Sequence, residues 1–373
     1  MLYFQALSNL VAQSGFAGLT AGNVVMLLVS FVLLYLAIVK GFEPLLLVPI
    51  AFGCLLVNLP LSGIMGEGGF LRYVFFGTEH EIYPIIIFMG IGALTDFGPL
   101  LANPITFLLG AAAQLGVFVA LFLATALGFN VREAASVAII GGADGPTSIY
   151  LTMKMAPQIL GAVAVAAYSY MSLVPLIQPP VIRMFTTKED RGIRMDNLRP
   201  VSKMEKVLFP IVCTVASGLI LPMCVPLIGV LMFGNLLREC GVTERLNHAA
   251  QNEILNTTTI FLGLTVGATM EAATFLTVAT LKIILLGLIA FMASTAGGVL
   301  FGQAMKKWSG GKINPMIGAA GVSAVPMAAR VVQRMCQQEH PGNFLLMHAM
   351  GPNVAGVIGT AVAAGAMLTL LTN

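Results

Sequence analysis

The stretch Ile139-Ile140-Gly141-Gly142-Ala143-Asp144-Gly145-Pro146-Thr147-Ser148-Ile149-Tyr150 decides how the rest of the chain is read. It sets one carboxylate, three glycines and a proline inside an otherwise apolar segment. Lipid offers no hydrogen-bond partners, so broken backbone at membrane depth survives only when buried in protein or beside water. An ionisable side chain there is expensive, nominally ~2.5–3.5 kcal/mol at a helix centre. Break and charge fall together, which points to an ion or substrate site.

The surroundings are those of a membrane protein. Of 373 residues, 58% are hydrophobic and only 9% charged, whereas soluble domains carry about 25% charged residues. The chain is therefore expected to be an all-α polytopic membrane protein. Apolar runs occur at 21–39, 44–62, 83–101, 104–128, 134–152, 157–179, 207–237, 255–276, 278–302, 313–335 and 343–371, against the ~20 residues that one crossing needs. The 207–237 run is too long for one span and contains Pro222 and Pro226. It reads as two short spans or as one span with a re-entrant piece, for about 10–12 crossings or half-crossings in all. The start, Met1-Leu2-Tyr3-Phe4-Gln5, has no basic n-region or small-residue cleavage site and is not read as a signal peptide. Residues 2–18 are expected to lie at the interface as an amphipathic segment.

Charge orients the chain. Arg183, Lys188, Arg191, Arg194, Arg199, Lys203 and Lys206 face four acids within one polar segment. Lys306, Lys307 and Lys312 form a second basic loop, with Trp308 at interfacial depth. Both loops are expected on the cytoplasmic side, and four crossings between them suit splitting 207–237 in two. A formal charge of +3 with one tryptophan carries no nucleic-acid signature. The cysteines at 54, 213, 224, 240 and 336 show no paired spacing and read as buried apolar residues, neither a disulfide framework nor a zinc site.

The halves on either side of the 181–206 loop echo each other. Ile87-Phe88-Met89-Gly90-Ile91-Gly92-Ala93-Leu94-Thr95-Asp96 resembles Ile260-Phe261-Leu262-Gly263-Leu264 followed by Gly267-Ala268-Thr269-Met270-Glu271. Each half then has a glycine-rich break, Gly141-Gly142-Ala143-Asp144 in the first and Ile317-Gly318-Ala319-Ala320-Gly321 in the second. Interrupted segments at corresponding positions of two halves mark a transporter's binding site, often with inverted topology. Small residues that let any two helices pack closely are the plainer explanation. The expected organisation is an interfacial segment at 1–20, a first membrane repeat at 21–180, a cytoplasmic loop at 181–206 and a second repeat at 207–373.

Asp144 is the leading site candidate. Flanking glycines allow close backbone approach, Pro146 frees an upstream carbonyl, and Thr147 and Ser148 add hydroxyls. Carboxylate, carbonyl and hydroxyl oxygens are what a hard cation such as Na+ needs in place of water. Asp144 also suits the N-cap of a half-helix, with Pro146 in its first turn; the two roles are compatible. Asn314, Gly318 and Ser323 bring oxygens and bare backbone into a second broken helix. Arg330 follows, placed either to meet an anionic group through its planar fork or to snorkel toward headgroups. Of the mid-membrane tyrosines Tyr168 and Tyr170, Tyr170 is taken as the site residue. A third break is expected at 350–360, where Asn353 sits beside proline and glycine. Asp96 and Glu271 either take a direct part in the site or cap breaks and pair locally. No metal-enzyme spacing, Ser-His-Asp set or phosphate loop is visible, so hydrolytic chemistry is not supported.

Gly142-Ala143-Asp144-Gly145-Pro146-Thr147, Asn314-Pro315-Met316-Ile317-Gly318 and Gly351-Pro352-Asn353-Val354-Ala355-Gly356 together resemble one family. It is the beta subunit of the sodium-pumping, biotin-dependent decarboxylases, which act on oxaloacetate, methylmalonyl-CoA or glutaconyl-CoA. The likeness covers nearly the whole chain, which looks like the compact version without the long insertion of some oxaloacetate-specific members. It implies a subunit of the inner (plasma) membrane that takes carboxybiotin from a carboxyltransferase alpha subunit and a biotin carrier protein, alongside a small gamma/delta membrane subunit. It implies decarboxylation coupled to Na+ export and proton uptake, a homotrimer, and an elevator-type scaffold and core. The family's functional positions fall on Asp144, Tyr170, Asn314, Gly318, Ser323, Arg330 and Asn353. Asp144, Asn314, Ser323 and Asn353 are then expected around Na+, and Arg330, Asn314 and Gly318 around carboxybiotin. Asp144, Tyr170, Ser323 and Arg330 are the expected catalytic set. The alternative reading is a Na+-coupled carboxylate symporter or antiporter without a biotin partner; an inert anchor for soluble enzymes would leave Asp144 and the breaks without purpose.

Overall fold

The computed structural model describes residues 14–371, which are helical with no strand among them. The interfacial segment expected at 2–18 lies outside the described residues except for a turn at 14–18. Six helices there are long and apolar enough to cross a membrane, seven when one bent pair is counted as a span. The chain is a multi-pass membrane protein.

The first half runs through α1 (Ala21–Ile38), α2 (Pro44–Val57), α3 (Phe70–Glu79), α4 (Ile82–Leu94), α5 (Gly98–Ala102), α6 (Phe107–Ala113), α7 (Leu115–Ala126), α8 (Val131–Ala138), α9 (Gly145–Met155) and α10 (Leu160–Phe185). Connector helix α11 (Lys188–Gly192) leads to α12 (Lys203–Ile220), α13 (Val225–Glu239), α14 (Glu244–Ala249), α15 (Leu255–Ala268), α16 (Ala272–Phe275) and α17 (Val278–Trp308). A 3-10 segment (Pro315–Gly321), α18 (Met327–Glu339) and α19 (Leu346–Leu371) complete it. Starts are signalled locally, as where Thr20, Asn130 and Ser202 form capping boxes with the residue three positions on.

The two basic segments share one face. Lys306 at the end of α17 pairs with Asp190 of the connector, and Arg199 donates to the Leu101 carbonyl at 2.8 Å. At the other face, Asn58 after α2 donates to Met270 O at 2.8 Å, and Lys282 of α17 reaches Leu127 O at 3.1 Å. The 207–237 run is two antiparallel helices, since Lys206 at the start of α12 lies 3.9 Å from Glu239 at the end of α13. Pro222 ends the first of them, because the residue before a proline disfavours helix.

Two expected crossings are instead re-entrant hairpins. Gln158, just past α9, donates to Glu133 at the start of α8 at 3.0 Å, so the 134–152 run enters and leaves by the face opposite the basic one. The reversal falls at Ala143, a non-glycine residue in the left-handed region with φ 55°. The 11-residue α9 spans roughly 17 Å, against a ~30 Å core, and is too short to cross. The 313–335 run behaves likewise from the basic face. Asn314 donates to Arg191 O and Ile193 O there, at 3.1 and 2.9 Å, and Glu339 at the far end of α18 meets Arg191 at 2.8 Å. The third expected break is absent, because α19 continues through Pro352. This proline sits in the second turn, where the neighbouring structure absorbs the one helical bond it removes.

Candidate ion and substrate site

The tips of the two hairpins meet. The Gly142 carbonyl accepts from the backbone N–H of Ser323 at 2.9 Å and from its hydroxyl at 2.6 Å. Ser294, midway along α17, donates to the Gly141 carbonyl at 2.7 Å. The glycines are required by this crowding: a Cβ at Gly142 would press on Thr360 of α19, and one at Gly145 would run into the ring of Tyr168.

Asp144 stands at the tip as the N-cap of α9, its Oδ1 accepting from the Thr147 N–H at 3.3 Å. Ser148 returns its hydroxyl to the Asp144 carbonyl at 2.7 Å. The partial positive charge of the α9 N-terminus favours an anion there. Asp144 is only 4% exposed, and its Oδ2 has no hydrogen-bond partner among the described residues. A buried acceptor without a partner carries a full desolvation cost. The Tyr168 hydroxyl and Asn353 Oδ1 are also buried and unpartnered among the described residues. Asn353 uses its amide nitrogen to hold the Ala320 and Val322 carbonyls, at 2.8 and 2.7 Å, and so fixes the second tip.

Beside Asp144 lies a cavity of about 420 Å³ whose walls include Pro146, Ser323, Pro326 and Met350. It extends past Ile91 and Leu94 of α4 to Asp96. Burial works to raise the Asp96 pKa, but the Gly98 N–H, the Lys206 ammonium and the charge of Arg238 outweigh it and hold the carboxyl below its usual range. A mostly apolar chamber of this size with a few convergent polar groups is a ligand site by its dimensions.

Asp144 and Ser323 line this chamber together. Asn353 is at the second hairpin tip but not on the chamber wall, and the remaining residues expected at the site stand elsewhere. Asn314 sits at the basic face, its Oδ1 capping the Met316 N–H at 3.0 Å and its amide donating to the connector. Gly318 makes a close backbone approach to Gly298 of α17. The Tyr170 hydroxyl donates to Ile284 O, and its ring packs against Gly287. Arg330 is exposed on α18, one turn beyond Pro326 of the chamber wall. Sequence reasoning weighed Tyr168 but chose Tyr170, read Asp96 as a possible cap or local pair, which its contacts with Gly98 and Lys206 match, and missed Ser294. Ser294 carried one usable signal, a polar pair with Thr295 in the middle of an apolar helix.

Residues 22–371 match the family described as the Na+-transporting oxaloacetate decarboxylase beta subunit. The chain is 63% identical over 366 residues to the glutaconyl-CoA decarboxylase subunit beta of Acidaminococcus fermentans, covering 98% of each. It is 61% identical over 368 residues to the methylmalonyl-CoA decarboxylase subunit beta of Veillonella parvula, covering 99% of this chain and 98% of that one. With the oxaloacetate decarboxylase beta chain of Klebsiella pneumoniae it shares 49% identity over 426 aligned positions, covering 98% of each. This chain therefore belongs to the beta-subunit family of the Na+-transporting decarboxylases, membrane components of multi-subunit decarboxylase complexes.

Proposed function

We propose that the chain decarboxylates carboxybiotin, presented by a separate biotin carrier, and couples that step to Na+ export with uptake of one proton at Asp144. One observation carries this reading: a buried carboxylate with an unpartnered oxygen faces a chamber beside Ser323. Ionised Asp144, with the hydroxyl of Ser323 and the free Oδ1 of Asn353, offers oxygens to a desolvated Na+. Protonated Asp144 needs no cation. Cleavage of the substrate's N–C bond leaves the electron pair on the ureido nitrogen, which takes up a proton while CO2 departs. A carboxyl group that exchanges H+ for Na+ links the two events, since a nearby cation favours its charged form. Moving one charge against 100 mV requires about 2.3 kcal/mol, which the decarboxylation supplies. Arg330 is assigned to the substrate carboxylate, while Tyr170, Asn314 and Gly318 brace α17 and the connector outside the chamber.

The same reading includes two inverted repeats at 21–180 and 207–373 moving as scaffold and core, a homotrimer, and soluble carboxyltransferase and carrier subunits with a small gamma/delta subunit. Its support is that the hairpins enter from opposite faces, and that α4 ends at Asp96 on the basic face while α15 ends near Glu271 on the other. The test is decarboxylation of free carboxybiotin by the purified complex, which should require Na+. Na+-driven carboxylate uptake without decarboxylation would instead establish a secondary transporter.

A further inference from the structure

The chamber contains a second carboxylate. Asp144 closes its inner end, and Asp96, whose side chain is 36% exposed, stands at its outer end. Asp96 Oδ1 accepts from the Gly98 N–H at 2.8 Å and from the Lys206 ammonium at 3.2 Å. Lys206 has another acid within reach, Glu239 at 3.9 Å. Arg238 contacts Glu239 at 3.3 Å and donates to Leu94 O at 2.6 Å, tying this group to the chamber wall. Among the described residues no other carboxylate lines the chamber, and Lys206 itself is not one of those lining it.

This arrangement suits a cation in transit. Walls of low dielectric lined by one sign of charge focus the field and concentrate the opposite ion, and conduction needs sites that bind weakly enough to release. A lysine ammonium is a compact point charge on a flexible stem, so Lys206 can leave Asp96 and remain paired with Glu239. A fixed surface ion pair contributes only ~0–1 kcal/mol, so little is lost when it parts.

We propose that Asp96 is an outer cation site on the path between the basic face and Asp144, with Lys206 as its exchangeable counter-ion, handed to Glu239 when Na+ arrives. The proposal rests on the reading that Asp144 holds Na+. Na+ binding by the intact detergent-solubilised complex, measured as radioactive Na+ bound at equilibrium with K+ as the balancing ion, tests both. Asp96→Asn should weaken the Na+ midpoint by about tenfold, the order expected for one charge removed at close range, without abolishing binding. Lys206→Gln removes the competing cation, leaves the Gly98 contact intact and should tighten the midpoint. Asp144→Asn should abolish the tight binding and leave only weak binding at Asp96. Unchanged midpoints in the first two variants, or shifts in the same direction, would overturn the Asp96 proposal while leaving Asp144 standing. Undiminished binding by Asp144→Asn would overturn the reading beneath it, and the outer site with it. If Asp96→Asn fails to assemble, the Lys206→Gln midpoint alone decides, since no tightening there removes the exchange.

Discussion

A methyl group at Gly145 would occupy the space held by the Tyr168 ring. Overpacking of this kind costs about 1–3 kcal/mol, and here it would also push the adjacent Asp144 carboxylate off its position. Gly145→Ala is therefore expected to lower the thermal midpoint of the detergent-solubilised protein and to cut turnover far more than it cuts helix content. Undiminished turnover would show that the site does not depend on this packing. Asp144 was legible in the sequence because a charge and a backbone break fall on the same residues. Tyr168 was not: it and Tyr170 lie two positions apart, about 200° around a helix, and composition does not say which side faces the site. The ring that packs on the tip is that of Tyr168, whereas the Tyr170 hydroxyl bonds Ile284 O. Asn314 shows the opposite difficulty, because an amide that caps a 3-10 turn and ties down a connector reads in sequence like one that could ligate an ion.

At the scale of elements, the breaks were legible and their geometry was not. A hairpin that turns back at mid-membrane and a helix that crosses have the same hydropathy, so 134–152 and 313–335 both read as spans. What separates them is contact between the ends of each run, as in Gln158 with Glu133, which no local pattern encodes. Pro352 misled for the converse reason, since a proline early in a long helix removes one bond without ending it. The connector at the basic face makes a prediction of its own. Burial tends to raise the Asp190 pKa, but Lys306, the Thr187 N–H and Gln303 outweigh it and hold the carboxyl down at about 2. An unfolded aspartate titrates near ~3.9, so the native state is favoured above that pH and the advantage fades as pH falls from ~4 toward 2. Lys306→Met should destabilise the protein at neutral pH, and its thermal midpoint should approach that of wild type as the pH drops through this window. A gap between the two that persists unchanged at the acid end would show that the ion pair is not its source.

The whole molecule has two unlike faces, one carrying the 181–206 and 306–312 basic segments and reached from the Asp96 end of the chamber. Basic segments resist translocation, so a cysteine placed at Ser202 should be labelled by an impermeant reagent only after cells are opened. Labelling from outside intact cells would invert the topology and with it the direction of Na+ movement. The chamber was not legible in the sequence, because its walls come from α4, α10, both hairpins and α19. In the proposed function coupling needs all of these parts, and Asp144 is where they are proposed to converge. Asp144→Asn preserves size and removes the charge, and it relieves the desolvation of a buried carboxylate, so the protein should insert and assemble normally. The most direct measurement is Na+-dependent decarboxylation together with Na+ transport by this variant, in detergent and in proteoliposomes. Both activities should be lost together; wild-type coupling would mean that Asp144 only caps α9, and the central assignment would fail.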